Sequence, residues 1–313
     1  MTPAAGQHDF AAQQHWRLED ISWQDVNPNR MADRETLFYL VSSASFIETA
    51  TDTYAHNLIQ YYAGDSEATA WLEDHWQHEE LQHGRALRHY VQTAWPGFDW
   101  DTVYAAFFAE FSRNCTLEAL EPSRCLEMVS RCIVEMGTSS FYTTLGAMSP
   151  DPVLRHLTQL IRQDEVHHYK YFYRYFRRYR AQEGVGRWRI FKAIVHRLRM
   201  IDGEDSSIAF KHVFHVRHPD APYSEHVYRA FQKRARHQMG SRFPHDMSVK
   251  MTLKPLDLNP RTQKIVAPCI KLVSQCLLWG QTPNLLRAWL HPALRLWRRA
   301  RGYARHQLAR LTG

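Results

Sequence analysis

The sequence contains no unbroken apolar run of the roughly 18 to 20 residues that a membrane-spanning helix needs. Its opening stretch, MTPAAGQHDFAAQQHW, also lacks the basic-then-apolar pattern of a secretory signal, so a cytoplasmic location is the expectation. Glycine and proline number only 13 and 14 in 313 residues, too few for a collagen repeat, a linker array or a disordered chain. The five cysteines (Cys115, Cys125, Cys132, Cys269, Cys276) form no CxxC pair and mostly sit in apolar helical surroundings. They read as reduced core residues. Strand signals are nearly absent too, with no sustained alternation and no Asn-Gly or Asp-Gly turn between apolar runs.

What is present is helical periodicity, from Asp33 to about Gln182. Start signals stand at Asp33, Asp65, Pro122 and Asp151-Pro152, and breaks at Gly64 and Pro96-Gly97. The expectation is an all-α fold with four long helices over residues 33–62, 66–94, 122–147 and 151–182, and a shorter one near 100–113. Residues 1–32 form an N-terminal extension, 33–182 a four-helix bundle, and 183–313 a helical C-terminal extension ending in a basic tail. Helices of this length, at ~1.5 Å per residue, are ~40 Å long and can hold a site at mid-height.

The net charge of +7 is unevenly placed. Residues 281–313 contain seven arginines and no acid, leaving the rest of the chain balanced. Residues 174–199 hold nine Arg or Lys against the single Glu183. Such surfaces suit nucleic acid, anionic lipid or an acidic protein. No helix-turn-helix, zinc-finger or RNA-recognition pattern supports nucleic acid. In the tail, Leu285, Leu286, Leu290, Leu294 and Trp297 allow a helix lying on a membrane surface, interrupted by Pro292.

The inward stripes carry polar residues where apolar ones belong. The first runs Leu37, Val41, Ala44, Glu48, Thr51, Ala55, Leu58, and the second Leu72, Trp76, Glu80, His83, Leu87, Tyr90. The third runs Met128, Cys132, Glu135, Thr138, Tyr142, Leu145, and the fourth Leu154, Leu157, Ile161, Glu165, His168, Phe172. Burying four carboxylates together without compensation costs several kcal/mol per group, so something positive must sit among them. Two Glu-x-x-His pairs plus two single glutamates make the donor set of a dinuclear carboxylate bundle. Carboxylate with imidazole suits iron or manganese better than the thiolate sites of zinc. Glu79, one residue off its stripe, reads as a surface or supporting group.

Particular strings resemble the ferritin-like di-iron superfamily and, within it, the soluble acyl-carrier-protein desaturases. FIETATDTYAHNLIQ resembles that family's first-ligand helix around Glu48, HEELQHGRAL its EExxHG block around Glu80 and His83, Glu135-x-x-Thr138 its third helix, and Asp164-Glu165-x-x-His168 its DExxH. The resemblance runs from about residue 20 to 180. It implies two iron ions bridged by Glu80 and Glu165, with Glu48 and Glu135 as terminal carboxylates and His83 and His168 giving one imidazole to each. It further implies a hydroxyl at Thr138 beside the oxygen-binding face, and a route from Trp23 in ISWQDVNP through Asp164 and His83 to the metal. The implied activity is oxygen-dependent desaturation of an acyl chain on an acidic carrier protein docked on the basic patches, with a ferredoxin-type donor, dioxygen and a homodimer. Three readings stand beside it. They are another di-iron oxygenase (a hydroxylase or an aldehyde-processing enzyme), an iron-storage or peroxide-scavenging protein, and a non-catalytic binder of membrane or nucleic acid built on the arginine tail.

Overall fold

The computed structural model describes residues 16–200 and 204–278. The arginine-rich segment 281–313, with the surface helix expected there, lies outside the described residues. Among these residues every regular element is helical and no strand occurs. The elements used below are α1 Pro28–Met31, α2 Glu35–Thr49, α3 Thr51–Tyr61, α4 Ser66–Trp71, α5 Gln77–Ala94, α6 Trp100–Phe111, α7 Arg124–Met148 and α8 Pro152–Glu183. Then follow α9 Arg187–Met200, α10 Glu204–Arg217, α11 Glu225–Gly240, α12 His245–Leu253 and α13 Pro260–Leu278. No described helix is long and apolar enough to cross a membrane.

Local chemistry explains most boundaries. The Asp65, Asp99, Ser123 and Asp151 side chains each accept a hydrogen bond from the first turn of the helix that follows, and Pro152 occupies the first helical position of α8. The start of α7 therefore belongs to Ser123, one residue past the expected Pro122. At the other end, α8 stops where Gly184 turns left-handed at φ 62°. Asp33 caps nothing: α2 begins at Glu35 after an uncapped Arg34.

Two expected helices are not regular. The span 33–62 divides at Ala50, where ψ relaxes to −4°. Thr49 and Thr51 flank that break, and their hydroxyls donate to the carbonyls of Ser45 and Ile47, four residues back. Such back-bonding bends helices. The span 66–94 contains a wide π-turn over Leu72–Trp76 between α4 and α5.

The apolar residues form two separate cores. One gathers α2, α6, the C-terminal end of α5 and the N-terminal part of α8 around Phe38, Phe46, Leu87, Tyr90, Leu154 and Ile161, with α10 and α11 packed on it. The other gathers α3, α4, the N-terminal half of α7 and the C-terminal half of α8 around Leu58, Trp76, Met128, Cys132, Phe172 and Phe176, with α9 and α12 against it. The N-terminal segment joins the first core through Trp16, Ile21, Val26 and Met31. Along each stripe, Glu48, Glu80, His83, Glu135, Glu165 and His168 fall at the level where one core gives way to the other.

At this level α2 and α5 approach closely. A β-carbon on Gly84 would lie 2.7 Å from both the backbone nitrogen and Oγ1 of Thr49. Because the obstructing atoms include backbone, Gly84→Ala is expected to destabilise the fold by about 1–3 kcal/mol, the usual range for overpacking. Urea denaturation measures it, and an unchanged midpoint would show that α2 can back away freely.

Candidate metal centre

Each helix delivers its donors by spacing alone. On α5, Glu80 and His83 are three residues apart and so share a face, and Glu165 and His168 repeat this on α8. Glu48 enters from the last turn of α2 and Glu135 from the middle of α7. All six side chains are buried. They form two overlapping sets, Glu48, Glu80, His83, Glu165 and Glu80, Glu135, Glu165, His168. Within each set one ligand atom per residue lies within 4.8 Å of the others. Glu80 and Glu165 belong to both.

The imidazoles are held crosswise. His83 of α5 turns Nε2 to Asp164 Oδ2 of α8 at 3.0 Å, and His168 of α8 turns Nε2 to Glu79 Oε2 of α5 at 2.7 Å. Each acid immediately precedes a shared glutamate and serves the histidine of the opposite helix. The Nδ1 atoms consequently face the cluster, 3.4 Å from Glu165 Oε1 for His83 and 3.1 Å from Glu80 Oε1 for His168. A carboxylate on the far ring nitrogen fixes the tautomer and raises the basicity of the near one, as in metal-ligating histidines. Further supports come from α7. Thr138 Oγ1 donates to Glu165 Oε2 at 2.6 Å while also lying 3.2 Å from the Glu135 carbonyl, and the Tyr142 hydroxyl donates to Glu48 Oε1.

A different tryptophan reaches Asp164 from the one expected. Trp16 Nε1 donates to Asp164 Oδ2 at 2.7 Å, and its ring lies parallel to that of His83 with centroids 6.2 Å apart. Trp23 instead donates to the Leu18 carbonyl and meets His89 edge-on at 4.4 Å. Two tryptophans stand in a segment with no helical period to rank them, and burial decides: Trp16 enters the core while Trp23 is half-buried. Sequence reasoning also missed Tyr142, which on its stripe looks like any core aromatic. For Glu79 the available signal was the match between Glu79-Glu80-x-x-His83 and Asp164-Glu165-x-x-His168.

The donor set fits a cation. His83 Nδ1, His168 Nδ1, Glu135 Oε2 and Glu165 Oε1 are buried without a well-formed hydrogen bond and meet only other members of the cluster, His83 Nδ1 at 3.4 Å from Glu165 and His168 Nδ1 at 3.6 Å from Glu135. Burial pushes the Glu48 carboxyl well above its ordinary range, and the charges of Glu80 and Glu165 add to this. Burial does the same to Glu135, with Glu165 adding. Desolvation works to lower both imidazoles, but Asp164 and Glu165 around His83, and Glu135, Glu79 and Glu80 around His168, outweigh it and raise both well above the ordinary value. Glu165 goes the other way. Burial works to raise it, yet its contacts with His83, Glu135 and His168 hold it at about 2. The apoprotein therefore stores protons where a metal would place positive charge, and these groups could hold a metal ion on displacing them. No family model, curated protein or solved structure matches the chain.

Two expected outcomes follow from this geometry. Glu48, Glu135, His83 and His168 bind protons more tightly folded than unfolded, so their stabilisation is lost as pH rises through the folded values. The melting temperature of the apoprotein should fall as pH rises, beginning above the ordinary carboxylate value of 4.5 for the two glutamates and above 6.5 for the two histidines. The metal-loaded protein, whose ligands are already deprotonated, should show no such fall over the same range, and parallel profiles would refute the proton store. Separately, Glu79→Gln and Asp164→Asn should each weaken metal affinity by about 10–100-fold. Competition with a chelator reads this, and an unchanged affinity would make both acids bystanders.

Proposed function

We propose that the chain is a ferritin-like four-helix-bundle oxidoreductase that holds two iron ions and uses dioxygen to remove hydrogen from an acyl chain, forming a double bond. Manganese is the other metal this donor set suits. The observation that carries the reading is the pair of overlapping four-residue sets sharing Glu80 and Glu165. Two divalent ions bring four positive charges against four carboxylates, and two neutral imidazoles complete the set. Such a cluster is neutral overall, which a dry interior tolerates. When bound, the metal pair would supply dioxygen activation and the redox capacity for breaking an unactivated C–H bond.

The protein's own residues do the rest. Glu79 and Asp164 hold the imidazoles in one tautomer with Nδ1 inward. Thr138 orients one oxygen of Glu165 and Tyr142 one oxygen of Glu48. The apolar cores on either side exclude water, which strengthens every charge interaction between them. The acyl substrate is supported by the strings around Glu48, Glu80, Glu135 and Glu165 that resemble acyl-carrier-protein desaturases. An acidic carrier and a ferredoxin-type donor are the partners this reading requires.

The deciding experiment is mass spectrometry of acyl-carrier proteins bearing chains of graded length, after aerobic turnover with iron-loaded protein and a ferredoxin reducing system. Loss of two hydrogens from one chain length is expected. Gain of one oxygen atom would move the reaction to hydroxylation, and an accumulating ferric core without product would make the chain a storage protein. Metal analysis runs alongside: Glu80→Ala and Glu165→Ala should lose iron from both positions and all turnover, whereas Thr138→Val should keep both irons and uncouple oxygen uptake from product. A Glu165→Ala variant with full iron and full turnover would overturn the site.

A further inference from the structure

The basic run over residues 174–199 divides in the fold. Arg174 and Arg178 are neutralised from α4 and its cap, with Arg174 2.8 Å from Glu67, Arg178 2.6 Å from Glu67, and Arg178 also bound to Asp65. The less neutralised part is α9, which has five Arg or Lys and no acid of its own, and of these Arg187 lies 3.6 Å from Asp257. Its inner face is fixed by Ile190, Ala193 and Ile194, buried in the second core. Its outer face is not what a solvated helix presents. Trp188 is 65% exposed, Phe191 40% and Leu198 39%, and with the half-buried Val195 they follow the spacing of a single stripe about 15 Å long. Trp188 and Phe191 stack with centroids 5.3 Å apart, and Lys192 lies over the Trp188 ring at 5.4 Å. At 100° per residue, Arg199, Lys192 and Arg189 line one edge of the stripe and Arg187 the other. Among the described residues no carboxylate lies within ion-pair distance of Arg189, Lys192 or Arg199.

We propose that this face of α9 docks on an anionic lipid bilayer. Charge selects the occupant. The same face of a second copy, or the chain's own arginine-rich segment 281–313, would bring like charge to the stripe and be repelled. What complements the stripe must be anionic and accept aromatic rings at the same time. The stripe is a ridge of apolar side chains along one helix. A bilayer interface takes such a ridge whole: Trp188, Phe191, Val195 and Leu198 enter the acyl boundary, and Arg187, Arg189, Lys192 and Arg199 stay level with the phosphates. The contact is peripheral, since no described helix is long and apolar enough to span. It is independent of the metal reading, and the metal content of the variants below should equal that of the unaltered chain.

The test is flotation of the full-length protein with vesicles of phosphatidylcholine alone and of equimolar phosphatidylglycerol and phosphatidylcholine. Binding is expected only to the anionic vesicles and should weaken as salt rises. Removing the rings with Trp188→Ser and Phe191→Ser together should lower affinity by about tenfold or more. Removing two charges with Lys192→Gln and Arg199→Gln should lower it about thirtyfold, as expected for two basic residues at an anionic surface. Should the aromatic pair disturb the fold by circular dichroism, the charge pair, exposed and without an ion-pair partner among the described residues, decides. Failure to bind anionic vesicles would overturn the proposal, and so would binding that neither pair alters, which would assign the contact to another segment. If the variants instead lose an acidic carrier protein while keeping the vesicles, the face is a protein-docking site and the lipid assignment falls.

Discussion

Six ionisable side chains are buried side by side at the middle of this protein, and most of the fold can be understood as what is needed to keep them there. Four carboxylates taken out of water repel one another and lose their hydration. Without a cation the cluster favours protons, because the imidazoles of His83 and His168 and the carboxyls of Glu48 and Glu135 all have their affinity for them raised. The same atoms could instead hold a metal ion. The two apolar cores above and below make the choice severe, because they deny the cluster water as a third option.

The irregularities of the helices collect at the same level. The division between α2 and α3 at Ala50 comes two residues after Glu48, and the π-turn ends four residues before Glu80. Gly84, directly after His83, lets α2 and α5 close to a distance that any side chain would obstruct. Each is a local departure from what an isolated helix prefers. All three lie next to Glu48, Glu80 and His83, the donors that α2 and α5 contribute to the cluster. Wide turns inside helices are frequent at functional sites.

Periodicity made the six cluster residues readable before any coordinates, because a glutamate on an otherwise apolar stripe is conspicuous. The supports were harder to read. Glu79 lies off its stripe and acts on a residue 89 positions away. Tyr142 is indistinguishable from packing until its hydroxyl is seen to meet Glu48, and Trp16 outranks Trp23 only through burial. Helix capping was legible at Asp65 and Asp151, where the side chain lies one residue before the helix, but not at Asp33, where tertiary packing starts α2 without a cap. Charge runs misled in a similar way. The cations of residues 174–199 looked like one surface until Asp65 and Glu67, over a hundred residues earlier, took two of them.

The crosswise arrangement of Asp164 with His83 and Glu79 with His168 also bears on how the molecule matures. Neither α5 nor α8 carries both a histidine and the acid that orients it, so a half-folded chain has the motifs without the site. Docking of two helices far apart in sequence must come first, which would make capture of a metal ion a late event. An ion held by these donors would tie α2, α5, α7 and α8 at one point. It would act as a clasp on the finished tertiary structure, coupling escape of the ion to opening of the fold.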